Sequence, residues 1–410
     1  MNPQTLIRED RMPHNAAQAP WVLVAGGFHH AGGMDRANLA LAEYLLDQET
    51  PVHIVANKVD AELERHTLAT LHRVPRPAGL HSIGEPLLGW KGRSVASSVV
   101  HRWPNAQVVV NGGNCVWPGV NWVHYVHHAW RAPSYEGPYW YRMKSAAFDT
   151  WARRRERAAL RRARLVITNS QLTSRHVIDH LHVEEKRVHT VYLGSDAQWG
   201  PATPAERKAA RLQFDIPDAR PVAVFVGALG LDHRKGFDVL FEAWRRLCDA
   251  PDWDVDLFVA GEGKALGMWR DKIGAAGLTQ RIRMLGFSHQ VKHLLAAADL
   301  LVSPVRYEAY GLNVQEAICR GVPALLSISA GAAEQYSPDL APLLLPDPED
   351  VSDLVGRLLN WRAGIDYWRE QFRPLGQRLR RNTWQKMAEN MVTLIQQVSQ
   401  GVREGAGKTC

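Results

Sequence analysis

The chain has 410 residues and a formal net charge of +7, from 49 Lys or Arg against 42 Asp or Glu. That length exceeds one ordinary core and predicts two domains. No apolar run approaches the ~20 residues that span a bilayer, and the start, MNPQTLIREDRMPHN, is acidic early without an apolar segment, so it does not read as a signal peptide.

In chain order, the first half offers strands at 21–27, 52–56, 107–111, 121–126, 164–170 and 188–193. Several are Val/Ile/Leu runs without polar alternation, the pattern of strands covered on both faces. Strand one runs into 26-GGFHHAGGMDRANLALAEYLL-46, a glycine turn between strand and helix, where doubly wound folds place ligands. The glycines at 26, 27, 32 and 33 do not fit GxGxxG. The P-loop spacing from Gly27 to Gly32 ends on Gly33 and Met34 instead of Lys and Ser/Thr. ATPase and simple dehydrogenase readings weaken accordingly. From Arg142 to Arg164 nine residues are Lys or Arg and two are acidic, in an Ala- and Arg-rich stretch free of Pro and Gly, which predicts a helix. A solvated face explains such a run; docking on anionic lipid headgroups is the sharper reading. Nucleic acid is not expected, because no RNA-recognition motif or zinc finger accompanies the run. The four cysteines are scattered with no CxxC pair, against a disulfide framework or cysteine metal site and in keeping with a reducing cytoplasm.

The break falls in 194-GSDAQWGPATPAERK-208, polar and rich in Gly and Pro. Domains of 1–195 and 196–382 follow, each a Rossmann-like α/β unit. Second-half strands are expected at 222–229, 255–261, 282–287, 299–304, 323–327 and 342–346, and the last ten or so residues, ending GVREGAGKTC, read as a disordered tail. After strand 222–229, Arg234 and Lys235 stand just before Gly236 and an amphipathic helix. Two cations at a helix N-terminus oppose the helix dipole unless an anion binds there, such as two phosphates.

The densest stretch is 301-LVSPVRYEAYGLNVQEAICRGVPALL-326. Ser303 and Pro304 end a strand, and a helix is expected from Leu312 or Asn313 to Arg320, stopped by Gly321 and Pro323. Glu308 then lies before the helix and Glu316 about one turn inside it. The first helical N–H groups, near Gly311, Leu312 and Asn313, lack intrahelical acceptors and can meet phosphate or sugar oxygens. Carboxylates only accept, so Glu308 and Glu316 suit hydroxyl-rich partners such as a ribose and a hexose, which together describe a nucleotide sugar. No nearby His or Asp completes a metal site, and two carboxylates at one helix start do not flank a glycosidic bond.

E-x-Y-G-L-x-x-x-E over Glu308, Tyr310, Gly311, Leu312 and Glu316, followed by G-x-P, resembles the EX7E signature of retaining GT-B-fold glycosyltransferases of family GT4. So do 32-GGM-34 with Gly33, Lys235-Gly236, 261-GEG-263, 285-LGF-287 with Gly286 and Phe287, and 168-TNSQLTS-174. 383-TWQKMAENMVTLI-395 is similar to the terminal helix, about 383–400, that rejoins the N-terminal domain. The resemblance covers nearly the whole chain. It implies a GT-B fold, two Rossmann-like doubly wound domains facing a cleft, with the donor on the second.

The resemblance also implies a His at an N-domain strand tip facing the donor sugar. In 121-NWVHYVHHAW-130 the choices are His124, His127 and His128, and His127 at the end of the apolar run fits best. Where the family commonly has Gly-Arg before the lysine, this chain has Gly227-Ala228, so Arg234 is the candidate replacement. On this resemblance Glu316 holds ribose hydroxyls and Glu308 hexose hydroxyls. Lys235, Arg234 and the helix-start N–H groups hold the departing diphosphate without a metal or other cofactor. UDP-glucose or UDP-N-acetylglucosamine is the favoured donor, GDP-mannose the alternative, and a glycan or lipid-linked saccharide the acceptor. The expected location is the cytoplasm or the inner face of the membrane, through 142–164. The rivals are a GT-B-fold epimerase or phosphorylase, or a basic membrane- or nucleic-acid-binding module without catalysis.

Overall fold

The computed structural model describes residues 18–30, 32–77, 81–132, 138–196 and 198–407; segment 1–17 and the final residues 408–410 lie outside it. Two wholly parallel sheets carry the molecule. The first holds β1 (Trp21–Val24), β2 (Val52–Ala56), β3 (Ala69–Arg73), β4 (Gln107–Asn111), β5 (Val120–Val123), β6 (Leu165–Thr168) and β7 (Val188–Thr190). Its spatial order is β3-β2-β1-β4-β5-β6-β7. The second holds β8 (Val222–Val226), β9 (Asp256–Ala260), β10 (Ile282–Gly286), β11 (Leu300–Ser303), β12 (Ala324–Ser327) and β13 (Leu344–Leu345), in the order β10-β9-β8-β11-β12-β13. In both sheets the order reverses beside the first strand, between β1 and β4 and between β8 and β11. Chain leaving the carboxyl ends of these strands opens the crevice where such sheets take ligands. The central strands read as unbroken apolar runs because both faces are buried: every residue of β1, β5, β6, β11 and β12 is inaccessible.

Three sequence expectations are corrected. The first strand stops at Val24; Gly27–Phe28 pairs instead with Lys58–Val59, outside the main sheet. Strand β3, ATLHR, was not expected: it lies at the sheet edge, half-buried, with too few apolar residues to announce itself. The tail reading fails as far as Gly407, because the last helix runs Trp384–Gly407.

That helix packs against α1 (Gly33–Asp47). It places Trp384, Met387, Met391 and Ile395 in the core of the first sheet, each burial contributing roughly 1.5–3 kcal/mol before ordering costs. The preceding helix, α5 (Ile365–Arg381), keeps Trp368, Phe372 and Leu375 in the core of the second. The chain therefore crosses between the sheets twice, at 191–203 and at 382–384, and Ser195 bridges the crossings through its N–H to the Asn382 carbonyl at 2.8 Å. Among the described residues no helix is long and apolar enough to cross a membrane.

Candidate active site

Helix α3 (Phe237–Cys248) starts at Gly236, in the left-handed region at φ 69°. A β-carbon there would fall 1.8 Å from the Pro304 carbonyl oxygen. Only glycine allows the loop after β8 to press on the loop after β11, and that approach brings Lys235 to Glu308, whose carboxylate its ammonium contacts directly. Arg234 reaches the same carboxylate, Nη1 to Oε2, at 3.8 Å. Its guanidinium also lies over the Tyr125 ring of the first sheet, 5.4 Å from the centroid. Burial alone would raise the Glu308 pKa, but Lys235 and then Arg234 outweigh it and hold the carboxyl below its ordinary value.

Helix α4 (Leu312–Cys319) begins at Gly311, left-handed at φ 104°. The expected helix and its stop at Gly321, φ 82°, are both present. The loop before it is held from both sides. Glu308 N–H donates to the Ser329 carbonyl at 3.1 Å, and Gly331 N–H to the Glu308 carbonyl at 3.1 Å. The Ala309 carbonyl accepts from Ser170 Oγ at 2.7 Å and Thr173 Oγ1 at 2.9 Å, two hydroxyls of the first sheet's TNSQLTS segment. The Glu334 carboxylate accepts the Gln171 and Leu172 N–H groups at 2.9 and 3.0 Å, completing that helix start from the opposite domain.

Glu316 stands apart from this cation cluster. With Gly33, Leu312 and Asn313 it lines a cavity of ≈ 450 Å³, closed by Arg36 and Trp384 of the first domain. A β-carbon on Gly33 would come within 3.2 Å of Leu312 Cδ2, so the glycine loop abuts the helix start. Asn313 Nδ2 donates to the Val226 carbonyl at the end of β8, at 2.9 Å. Burial, with a smaller push from Asp196, raises Glu316 to a pKa of about 8. Gly286 ends β10 at φ 72°, its carbonyl accepting from Gly261 N–H at 2.8 Å, and Phe287 beside it is 61% exposed. Tyr310, a donor-site candidate by the resemblance, has its side chain in the first domain's core, its hydroxyl on Gln315. Strands of that core lie more than a hundred residues before α4, and its terminal helix begins at Trp384, so only the folded contact reveals the side chain's direction.

The three histidines are ordered by their surroundings. His124 has both ring nitrogens buried without a partner, and burial lowers its pKa to about 3. His127 and His128 share one buried carboxylate, Glu156, from helix α2 (Tyr139–Arg162). Glu156 Oε1 takes His127 N–H at 2.8 Å and Nδ1 at 3.1 Å; Oε2 takes His128 N–H at 3.2 Å and Nδ1 at 2.6 Å. Burial works to raise the Glu156 pKa, but the bonds from His127 and His128 prevail and hold it at about 2. The His127 side chain is 35% exposed, that of His128 10%. His127 also meets the Tyr125 ring edge-on at 4.8 Å, and Tyr125 touches Tyr307 of the second domain at 5.1 Å. Glu156 was missed in the sequence; its one signal is an acid inside the arginine run 153–157.

Residues 31–199 match the Glycosyltransferase Family 4 model and residues 206–368 the Glycosyl transferases group 1 model, so the two matches take in every strand of the two sheets but β1. The chain belongs to the GT4-type glycosyltransferase family. Its fold is GT-B. Sucrose-phosphate synthase from Thermosynechococcus elongatus superposes with a TM-score of 0.74 at 18% identity, over 94% of this chain and 100% of that one. WaaG, a glycosyltransferase involved in lipopolysaccharide biosynthesis, gives 0.71 at 19%, over 92% and 99%. Among curated relatives, the 2-deoxystreptamine glucosyltransferase of Streptomyces kanamyceticus is 28% identical over 231 residues, 53% of this chain and 59% of that enzyme. A GDP-mannose-dependent phosphatidylinositol dimannoside mannosyltransferase of Mycobacterium tuberculosis is 29% identical over 219 residues, 53% and 54%. The chain thus spans little more than half the length of these curated relatives.

Proposed function

We propose that the protein transfers a hexose from a nucleoside diphosphate sugar to a hydroxyl acceptor with retention of anomeric configuration. The observation that carries this reading is the convergence of Lys235 and Arg234 on Glu308 immediately before the start of α4. Two cations and the first N–H groups of the helix suit a diphosphate leaving group. Glu308 accepts hexose hydroxyls, and Glu316 accepts ribose hydroxyls. The bond from C1 to the β-phosphate oxygen breaks as the acceptor oxygen bonds C1 on the same face, and the acceptor proton passes to the departing phosphate. The protein supplies positioning and charge, with no metal ion. UDP-glucose and UDP-N-acetylglucosamine are the favoured donors and GDP-mannose the alternative; relatives include a glucosyltransferase and a GDP-mannose-dependent enzyme, and a UDP-bound Anabaena structure shares the fold at a TM-score of 0.67.

A lipid-linked acceptor accords with the surface of the first domain. Helix α2 exposes Tyr139, Trp140 and Met143 beside Arg142 and Lys144, an aromatic and cationic face suited to anionic headgroups at the inner surface of a membrane.

A thermal-shift screen with UDP-glucose, UDP-N-acetylglucosamine and GDP-mannose tests the donor, since a ligand of the folded state raises its stability. Release of UDP or GDP, with an α-donor giving an α-product by NMR, tests the reaction. An inverted product, or a product formed without acceptor, overturns it.

A further inference from the structure

Glu156 is 1% exposed and its pKa is held low by the bonds from His127 and His128, yet nothing in the donor chemistry above uses it. It accepts four N–H donors, two from the backbone and two from rings. A carboxylate can only accept, so Nδ1 of both histidines carries hydrogen. Arg157 fixes the second ring independently: its Nη2 lies 3.2 Å from His128 Nε2. A guanidinium can only donate, so in this contact that nitrogen accepts and Nδ1 carries the hydrogen. The backbone is pinned as well, because Arg153 Nε donates to the His127 carbonyl at 3.0 Å. With Nδ1 committed inward, Nε2 is the nitrogen that the His127 ring, its side chain 35% exposed, can present as an acceptor.

We infer that Glu156 is the positioning residue of the His127–His128 pair: it fixes His127 as the Nδ1–H tautomer and so makes Nε2 a hydrogen-bond acceptor for a sugar hydroxyl in the cleft. This rests on the reading of the cleft as a hexose-transfer site and adds to it an acceptor atom on the domain facing the donor. The helix that bears the cationic outer face is thereby also the inner wall of the site: Arg153 and Glu156 point inward, while Arg154 and Arg157 are exposed.

The test begins on the unaltered protein. With 15N-histidine labelling and single His→Gln variants for assignment, two-bond proton–nitrogen spectra at pH 7.5 are expected to show His127 as the Nδ1–H tautomer. A dominant Nε2–H form overturns the inference. Glu156→Gln keeps the shape but can accept through one oxygen only, while its amide must donate. It is expected to shift the tautomer and lower kcat on the order of 10- to 100-fold, the scale for carboxylates that orient metal-binding histidines, with donor KM within about twofold. In a His127→Ala background the same change should add almost nothing, since the two act through one atom. An equal loss in both backgrounds would make Glu156 merely structural and overturn the role. If His127→Ala alone leaves transfer intact, the hexose reading of that wall fails, whereas the tautomer spectrum still decides what Glu156 does.

Discussion

Lys235 and Glu308 form an ion pair between the loop after β8 and the loop after β11, each about four-fifths buried. The pair exists because Gly236 lets one loop lie on the other. In the proposed reaction both partners have other work, the lysine on phosphate and the carboxylate on hexose hydroxyls. Glu308→Gln is therefore expected to split the effects. Turnover should fall about 10²-fold, the usual loss for one preorganised polar contact. Affinity for UDP or GDP alone should hold or improve, because Lys235 is no longer neutralised. Calorimetry with the free nucleotide beside steady-state kinetics checks this; a loss of nucleotide affinity equal to the loss in turnover counts against it.

The same pair is expected to govern the acid limb of the pH profile. Glu308 keeps a lowered pKa because Lys235 and Arg234 outweigh burial. Lys235→Met removes the larger of those two charges and leaves burial in place, so the carboxyl pKa should rise. The acid limb of kcat is then expected to move to higher pH in the variant, beyond any uniform loss of rate. An unmoved limb would separate Glu308 from the ionisation that matters.

Ala228 follows Gly227 after β8, and Arg234 is the proposed source of the charge an arginine there would supply. Its guanidinium reaches Glu308 and lies over Tyr125; if it binds the diphosphate as proposed, Arg234→Ala should weaken donor binding and lower turnover by about tenfold or more, the scale of a charge-assisted hydrogen bond. Unchanged donor affinity together with unchanged turnover sinks the idea. Turnover is further expected to persist in EDTA; loss restored by magnesium would require a different leaving-group chemistry.

Much of this site was legible because it sits on local punctuation. Gly236, Gly311 and Gly321 mark strand-to-helix and helix-end turns whose φ values need glycine, so Lys235 and the start of α4 could be placed from sequence. What was not legible depends on contacts between distant segments. Tyr310 points into the other domain's core, and Glu156 looked like one stray acid in an arginine run. Strand β3 sits at an edge, where half-burial erases the apolar signal that announces β1 or β11.

The cationic helix shows the same division. Arg153 and Arg155 spend their donors on carbonyls of the first domain, His127 and Trp130 for one, Gly113 and Asn114 for the other. Replacing them tests folding more than docking. Arg142, Lys144 and Arg154 are among the exposed cations of that helix. Changing these three to Gln is expected to cut sedimentation with phosphatidylserine-containing vesicles, by about 1 kcal/mol of binding per charge, while leaving turnover on a soluble acceptor intact. Equal sedimentation of variant and unaltered protein would remove the membrane-docking reading.

Glu316 predicts an opposition between stability and binding. Its pKa is raised by burial to about 8, from an ordinary value of 4.5. Between those values the folded protein holds a proton that the unfolded chain has released, so stability declines as pH rises through this window. Above pH 8 the folded state carries a buried carboxylate and the full cost. Glu316→Gln stays neutral and escapes it. The variant's gain in melting temperature should be near zero at pH 4.5 and largest above pH 8. Above pH 8, where Glu316 is charged, the same substitution removes the acceptor proposed for ribose hydroxyls, so affinity for UDP or GDP should there fall about 10- to 100-fold, the worth of hydrogen bonds to a charged group. Unfolding scans at two pH values and nucleotide titrations read the two effects separately. A variant equally stable at both, with unaltered nucleotide affinity, would place Glu316 outside the ribose contact altogether.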